Sequence, residues 1–255
     1  MRAFGFYPFD KEELEKQIKE FSDCEKRIEN SKGLILPHAG YSFSGSVLGK
    51  TLSCVDIDKQ NITIFGPNHS SNETFVDSGE WKTPLGEVKT YLDVDLENHS
   101  SSEHSIEVIV PFLQYKLEDF SLTPVVVGSM DFGELTELSK KIHTKDSFFI
   151  ASSDFFHYGP DFGYDPAYGK IEDKVDWVKE RDEELEDMIC DLKPAKFYNT
   201  VKNNGYTVCG FRTITLLMIL MKKLNAKKAE RIDYKTSYEV RKNHSFVSYQ
   251  GFVFV

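Results

Sequence analysis

Three of the seven histidines in this 255-residue chain stand just behind short apolar runs. His38 follows Gly33–Leu36, His69 follows Ile62–Phe65, and His157 follows Ser147–Ala151. Each run reads as a buried strand. In open α/β sheets, ligands bind beyond the carboxyl ends of the strands, where the loops converge on one crevice. One histidine in such a loop is usually an ordinary hydrogen-bonded residue. Three delivered by three separate strands are hard to attribute to packing. Imidazole is the common ligand for zinc, iron, copper and nickel, and two imidazoles with one carboxylate make the usual face for non-heme iron(II).

Carboxylates and a further imidazole lie nearby in sequence: Glu103, His104, Glu107 and Asp154. A helix over Glu103–Leu117 would set His104 and Glu107 on one face at i, i+3. Equally, Glu103 and Glu107 could decorate the first turn of that helix, where the dipole favours negative charge. Pro111 would kink such a helix or mark its true start. Asp154 and His157 form a pair in which the carboxylate could orient the ring as a general acid or base. A hydrolase with Ser152 or Ser153 as nucleophile is conceivable. No G-x-S-x-G elbow, HExxH or P-loop pattern supports it.

The elements that must position these groups alternate between strand and helix. Asp10 and Glu13 open a helix reaching Phe21 with Leu14, Ile18 and Phe21 on its apolar face. After the first strand, a helix is expected over Ser46–Ser53. The region 71–102 reads as a hairpin excursion, with turns at Asp77-Ser78-Gly79 and Thr83-Pro84-Leu85-Gly86. Further strands are expected at Leu122–Val127, Arg231–Tyr238 and Phe246–Val255. Helices are expected at Phe132–His143, Lys170–Leu192, from Pro194, and at Phe211–Leu224. This order predicts an α/β fold: one three-layer domain over 1–255, its mixed, largely parallel sheet covered by helices on both faces. No repeat, low-complexity tract or linker marks a second domain.

Forty percent of residues are hydrophobic and 28% charged, which indicates a globular rather than a disordered chain. The net charge of −10 argues against a nucleic-acid surface and against attachment to acidic lipid. The apolar runs are too short to span a bilayer, and the opening residues turn charged where an export signal needs an apolar core. We therefore expect a cytoplasmic protein. Cys24, Cys54, Cys190 and Cys209 include no CxxC pair and read as buried thiols rather than disulfides.

Several motifs, taken in order, resemble the Memo family. They are Pro37-His38-Ala39-Gly40-Tyr41, Gly66-Pro67-Asn68-His69, Thr83-Pro84-Leu85-Gly86, Glu103-His104-Ser105-Ile106-Glu107 and Ser152-Ser153-Asp154-Phe155-Phe156-His157-Tyr158-Gly159. Gly5-Phe6-Tyr7-Pro8, Cys209-Gly210 and Val247-Ser248-Tyr249 also fall in family order. The resemblance implies a fold like that of the LigB-type, class III extradiol dioxygenases, which hold iron(II) on two histidines and a carboxylate. It implies His38 and His69 as the pocket's metal-binding pair, with His104, Glu107, Asn68 and Cys209 lining the pocket. It also implies that Asp154 and His157 line it, with His157 at the acid/base position. Counting back from Val247-Ser248-Tyr249, animal members carry a cysteine where this chain has Glu239. That glutamate either restores a two-histidine, one-carboxylate face suited to iron(II) rather than copper, or is a surface residue at a strand end. His244 is a weaker substitute. The family's other implied role is a non-enzymatic signalling adaptor, linked to cell motility, that binds phosphotyrosine peptides in the same cleft. Arg212 is the candidate phosphate partner for that role. The cleft would thus take a small molecule or a peptide.

Overall fold

The computed structural model describes residues 2–92 and 94–255. Asp10 accepts the Glu13 backbone N–H at 3.0 Å and starts α1 (Lys11–Phe21), which buries Leu14 and Ile18. Next come β1 (Gly33–Leu36), α2 (Tyr41–Ser53) and β2 (Asn61–Pro67). Helix α2 begins five residues before the expected Ser46. Its first turn is held from outside, because the Phe6 carbonyl accepts the Tyr41 N–H at 2.8 Å. The excursion contains β3 (Phe75–Asp77), β4 (Trp81–Thr83), β5 (Gly86–Thr90) and β6 (Asn98–His99), with β4 and β5 paired as a hairpin.

Helix α3 runs only over Val110–Lys116, with Pro111 in its first turn. The expected helix from Glu103 is therefore shorter, because proline lacks the N–H that an interior position must donate. Glu103 to Ile109 form loop and turns instead. The chain continues through β7 (Ser121–Val127), α4 (Phe132–Lys141), β8 (Ser147–Ser152), β9 (His157–Tyr158), a 3-10 turn (Pro160–Phe162), α5 (Ile171–Cys190), α6 (Pro194–Asn204) and α7 (Phe211–Lys223). It closes with β10 (Ala229–Thr236), α8 (Ser237–Val240) and β11 (Phe246–Phe254). The strand expected to reach Tyr238 stops at Thr236, where the chain turns into α8.

The strands join in the order β10-β11-β1-β8-β2-β7-β3-β6. At the centre, β1, β8, β2 and β7 are all parallel, while β10 and β11 add antiparallel to one side. Alternate residues face opposite layers, as the pleat requires. Leu34, Leu36, Ile62, Ile64, Phe148 and Ile150 pack with residues of α1, α2 and α3. Ile35, Phe65, Phe149 and Ala151 pack with residues of α4, α5, α6 and α7. The fold is thus a mixed α/β sheet between two helical layers. Among the described residues, no helix is long and apolar enough to cross a membrane.

Cys24 and Cys54 form a disulfide, with Cα atoms 5.3 Å apart. This corrects the expectation of four free thiols. The bridge ties the chain just after α1 to the end of α2, a proximity that packing of the two helices creates and no local motif announces. Cys190 and Cys209 remain free. Closing a separation of 30 residues should contribute about 3.6 kcal/mol by chain entropy. Cys24→Ser is expected to lower unfolding stability by about that amount in urea. Thiol counting on the unreduced, denatured wild type should return two thiols; four would contradict the bridge.

Candidate metal centre

Strand β8 lies between β1 and β2, and all three run parallel, so their carboxyl ends share one edge of the sheet. The loop after β1 carries His38, the loop after β2 carries His69, and β8 ends in Ser152 before Asp154. His104 arrives from the turns before α3. That approach requires Gly66, where an added Cβ would lie 2.5 Å from Ser105 and Ile106 atoms. The three rings converge, with centroids 5.4 Å (His38–His69), 5.8 Å (His38–His104) and 5.0 Å (His69–His104) apart.

The hydrogen bonds fix which nitrogen is bare in the neutral rings of His38, His69 and His157. His38 Nδ1 lies 2.7 Å from the Ser152 hydroxyl, which gives its single proton to the Ser105 carbonyl at 2.7 Å. Ser152 therefore accepts from His38, so Nδ1 carries the hydrogen and neutral His38 presents a bare Nε2. His69 Nδ1 lies 3.0 Å from the Glu103 carboxylate, and His104 Nδ1 lies 3.3 Å from the same oxygen. An ionised carboxylate only accepts, so the neutral His69 ring carries its hydrogen on Nδ1 and leaves Nε2 bare, while His104 stands beside the same carboxylate. His157 Nδ1 faces two carbonyls, of Phe155 and Thr207, each at 3.1 Å. The same logic leaves its Nε2 free. This is the arrangement by which outer hydrogen bonds orient imidazole ligands toward a metal.

The other expected residues divide. The Cys209 Sγ is 3.4 Å from His38 Nε2. His38, His69 and Cys209 offer donor atoms that all lie within 4.8 Å of one another. Asp154 does not orient His157. Its Oδ1 accepts the backbone N–H of His38 at 2.8 Å and of Ala39 at 3.3 Å, fixing the loop after β1 instead. The His157 ring packs edge-on to Phe162 at 5.1 Å. Asn68 shapes the loop beyond His69 by accepting from the Ser70 and Ser71 N–H groups. Arg212 spends Nε on the Met130 carbonyl at 3.1 Å and approaches Ser129 at 3.4 Å.

Glu239 is not brought to the histidines. It sits in α8 and takes the Thr236 backbone N–H at 2.8 Å, a helix cap. His244 lies in the exposed turn after α8 and belongs to no donor cluster among the described residues. Ser152 and Ser153 are fully buried, and each hydroxyl donates to a carbonyl, which removes them as nucleophiles. Glu107, also fully buried, shares no helix face with His104. Its carboxylate accepts from the N–H of Arg2 (2.7 Å), the N–H of Ala3 (2.9 Å) and the Tyr7 hydroxyl (2.8 Å). This clamps the N-terminal segment so that the Phe6 ring sits 4.6 Å from that of His104. Phe6, Ser105 and Ser152 are thus parts of the site that periodicity does not reveal.

Burial holds His38 down to about 4, so the ring is neutral at pH 7. Burial also lowers His104. For His69, burial pulls downward, but the hydrogen bond and charge of Glu103 win and raise it. Glu103 is itself pushed up by burial, yet bonds from His69 and Ser105 bring it from 4.5 to about 2. Its stabilising contribution is therefore full above pH 4.5 and is lost as pH falls toward 2. Glu103→Gln is expected to cost about 3 kcal/mol at pH 7. In an NMR titration it should also drop the His69 pKa from above 6.5 to below it. An unchanged His69 titration would contradict the pairing.

With this geometry in hand, similarity to known proteins becomes informative. The family model for Memo-like proteins matches residues 2–253. A MEMO1 family protein of Methanosarcina barkeri is 33% identical, over 93% of this chain and 92% of that one. Relatives of the same name in Thermococcus onnurineus and Archaeoglobus fulgidus are each 32% identical, over 99% of this chain and 97% of theirs. Matches of this extent, with His38, His69, His104 and Asp154 gathered at one sheet edge, assign the chain to the Memo-like protein family.

Proposed function

We propose that this chain is a metal-binding protein whose pocket works in the manner of a non-heme dioxygenase, holding one transition-metal ion on His38 and His69. The observation that carries the reading is that both rings commit an Nδ1 hydrogen to a partner, so that each neutral ring offers its Nε2. A bound iron(II) or copper ion would supply Lewis acidity and electron exchange to a ligand in the cleft. The protein's own contribution is positional. Ser152 and Glu103 set the tautomers of the two rings, and Asp154 holds the His38 backbone. His157 Nε2, three residues beyond Asp154, takes up and returns a proton. A neutral His38 spares the metal a competition with hydrogen ions near pH 7.

The occupant of the cleft is a small molecule or a short peptide. Recognition of a phosphotyrosine peptide by an adaptor would call on Arg212, but its guanidinium is already engaged by Met130 and Ser129. The metal reading is therefore favoured. Elemental analysis followed by anaerobic iron(II) and copper(I) titration of chelator-treated protein tests it. The wild type is expected to bind one ion per chain. His38→Ala and His69→Ala should weaken binding roughly 100-fold or more, with unchanged far-ultraviolet circular dichroism. Failure of the folded wild type to bind either ion would overturn the proposal.

A further inference from the structure

We infer that Asp182, buried between α5 and strands β10 and β11, is a proton-operated brace on the loop that carries Asp154 and His157. The inference goes beyond the metal reading and needs no ion in the pocket. Asp182 stands midway along α5 and is fully buried. Three neutral donors from the sheet meet its carboxylate. The Gln250 side-chain N–H reaches Oδ1 at 3.0 Å, the Tyr234 hydroxyl reaches Oδ2 at 3.1 Å, and the Ser248 hydroxyl joins them. Among the described residues no salt bridge reaches Asp182. Arg231 of β10 attracts it but is paired with Glu186. A buried carboxylate held by neutral donors alone is costly to keep ionised.

Ser248 carries the effect to the site. Its hydroxyl has one hydrogen, given to Asp182, so its oxygen is left to accept the Phe156 N–H at 3.0 Å. Its carbonyl accepts the Phe155 N–H at 2.9 Å. These two phenylalanines separate Asp154, which holds the His38 backbone, from His157. A hydroxyl that donates to a charged acceptor becomes a better acceptor itself, because bonds in a chain polarise one another. Ionised Asp182 therefore tightens the Ser248–Phe156 bond, and a neutral carboxyl relaxes it.

The protonated state has a partner in place. Gln250 Oε1 is buried without a hydrogen-bond partner among the described residues. When Asp182 takes a proton from solvent, its new O–H needs an acceptor. A half-turn of the Gln250 amide brings Oε1 to that hydrogen and removes the Nε2 donor. Either state leaves one amide atom unpaired, so hydrogen bonding locks neither. Burial pushes the Asp182 carboxyl up from 3.8 to about 7, against the bonds from Ser248, Tyr234 and Gln250. Burial, together with the Asp182 charge, raises Tyr234 as well, so that residue stays a donor. Glu239 of α8 acts on Tyr234 and caps Thr236, and α6 brings Phe197 and Val201 to the core it shares with α5. Between 3.8 and about 7 the folded chain holds a proton that the unfolded chain releases. Ionising Asp182 therefore subtracts stability as pH rises through that window.

Carboxyl and amide NMR titration of the full, chelator-treated chain from about pH 5 to about pH 9 tests the brace. In the wild type, the Asp182 carboxyl is expected to titrate at about 7, with the Phe156 amide proton moving downfield at the same midpoint. Asp182→Asn should abolish that amide step. Ser248→Ala should keep the carboxyl titration and lose the amide step. Tyr234→Phe, which removes one donor and keeps the ring, should move the carboxyl midpoint upward by about one pH unit. An Asp182 midpoint below about 5 overturns the inference. So does a Phe156 amide that stays fixed while the wild-type carboxyl titrates, or one whose step survives in Asp182→Asn.

Discussion

A carboxylate buried to 4% exposure persists only where donors meet its charge, and Glu103 meets that condition in a way that organises the whole pocket. It accepts the backbone N–H groups of His69 and Ser105 and the ring hydrogen of His69, with His104 beside it. These bonds join the loop after β2 to the turns before α3, two segments with no secondary-structure ladder between them. They also decide ring chemistry. A histidine whose Nδ1 hydrogen is claimed by a carboxylate has one lone pair left to offer, and its direction is set. Ser152 does the same for His38 with a hydroxyl, relaying the demand of the Ser105 carbonyl. The same three-residue run, Glu103-His104-Ser105, therefore sets the tautomers of His38 and His69 and itself carries the third ring of the cluster.

The sheet makes this possible by its strand order. Chain order would suggest β1 beside β2, yet β8 lies between them. Its end reaches the gap between the two histidine loops, where Ser152 meets His38 and Asp154 grips the backbone of the same residue. Beyond Asp154, the chain is anchored to β11. The Phe155 N–H reaches the Ser248 carbonyl at 2.9 Å, and the Phe156 N–H reaches the Ser248 hydroxyl at 3.0 Å. The C-terminal strand thus supports the site without supplying a ligand from its own loop. On the open side, the segment clamped by Glu107 closes Phe6 onto His104.

What could be read from the sequence follows from how local each signal is. Strands β1, β2, β7 and β8 are continuous apolar runs buried on both faces, and their pattern places them to within two residues. His38 and His69 are legible because strand ends concentrate loops. The first turn of α2 was hidden because Tyr-Ser-Phe-Ser-Gly-Ser lacks an apolar period and is nucleated by Phe6, far off in sequence. Asp154 and His157 lie close in sequence, which suggested a pair, but their side chains leave the loop in different directions toward His38 and Thr207. Counting back from Val247-Ser248-Tyr249 to Glu239 puts that residue at the end of the expected strand Arg231–Tyr238. The chain turns into a helix at Ser237, and a capping carboxylate there is spent on its own helix. Cys24–Cys54 and the approach of Cys209 to His38 are products of tertiary packing alone.

The central claim is that hydrogen bonding presets bare Nε2 atoms at the sheet edge before any ion arrives. Long-range proton–nitrogen correlation NMR of the metal-free protein near pH 7 reads this directly. The account predicts that His38 is neutral, with its hydrogen on Nδ1 and Nε2 unprotonated. A spectrum placing the His38 hydrogen on Nε2 would contradict it, because the pocket would then present a donor where a metal needs a lone pair.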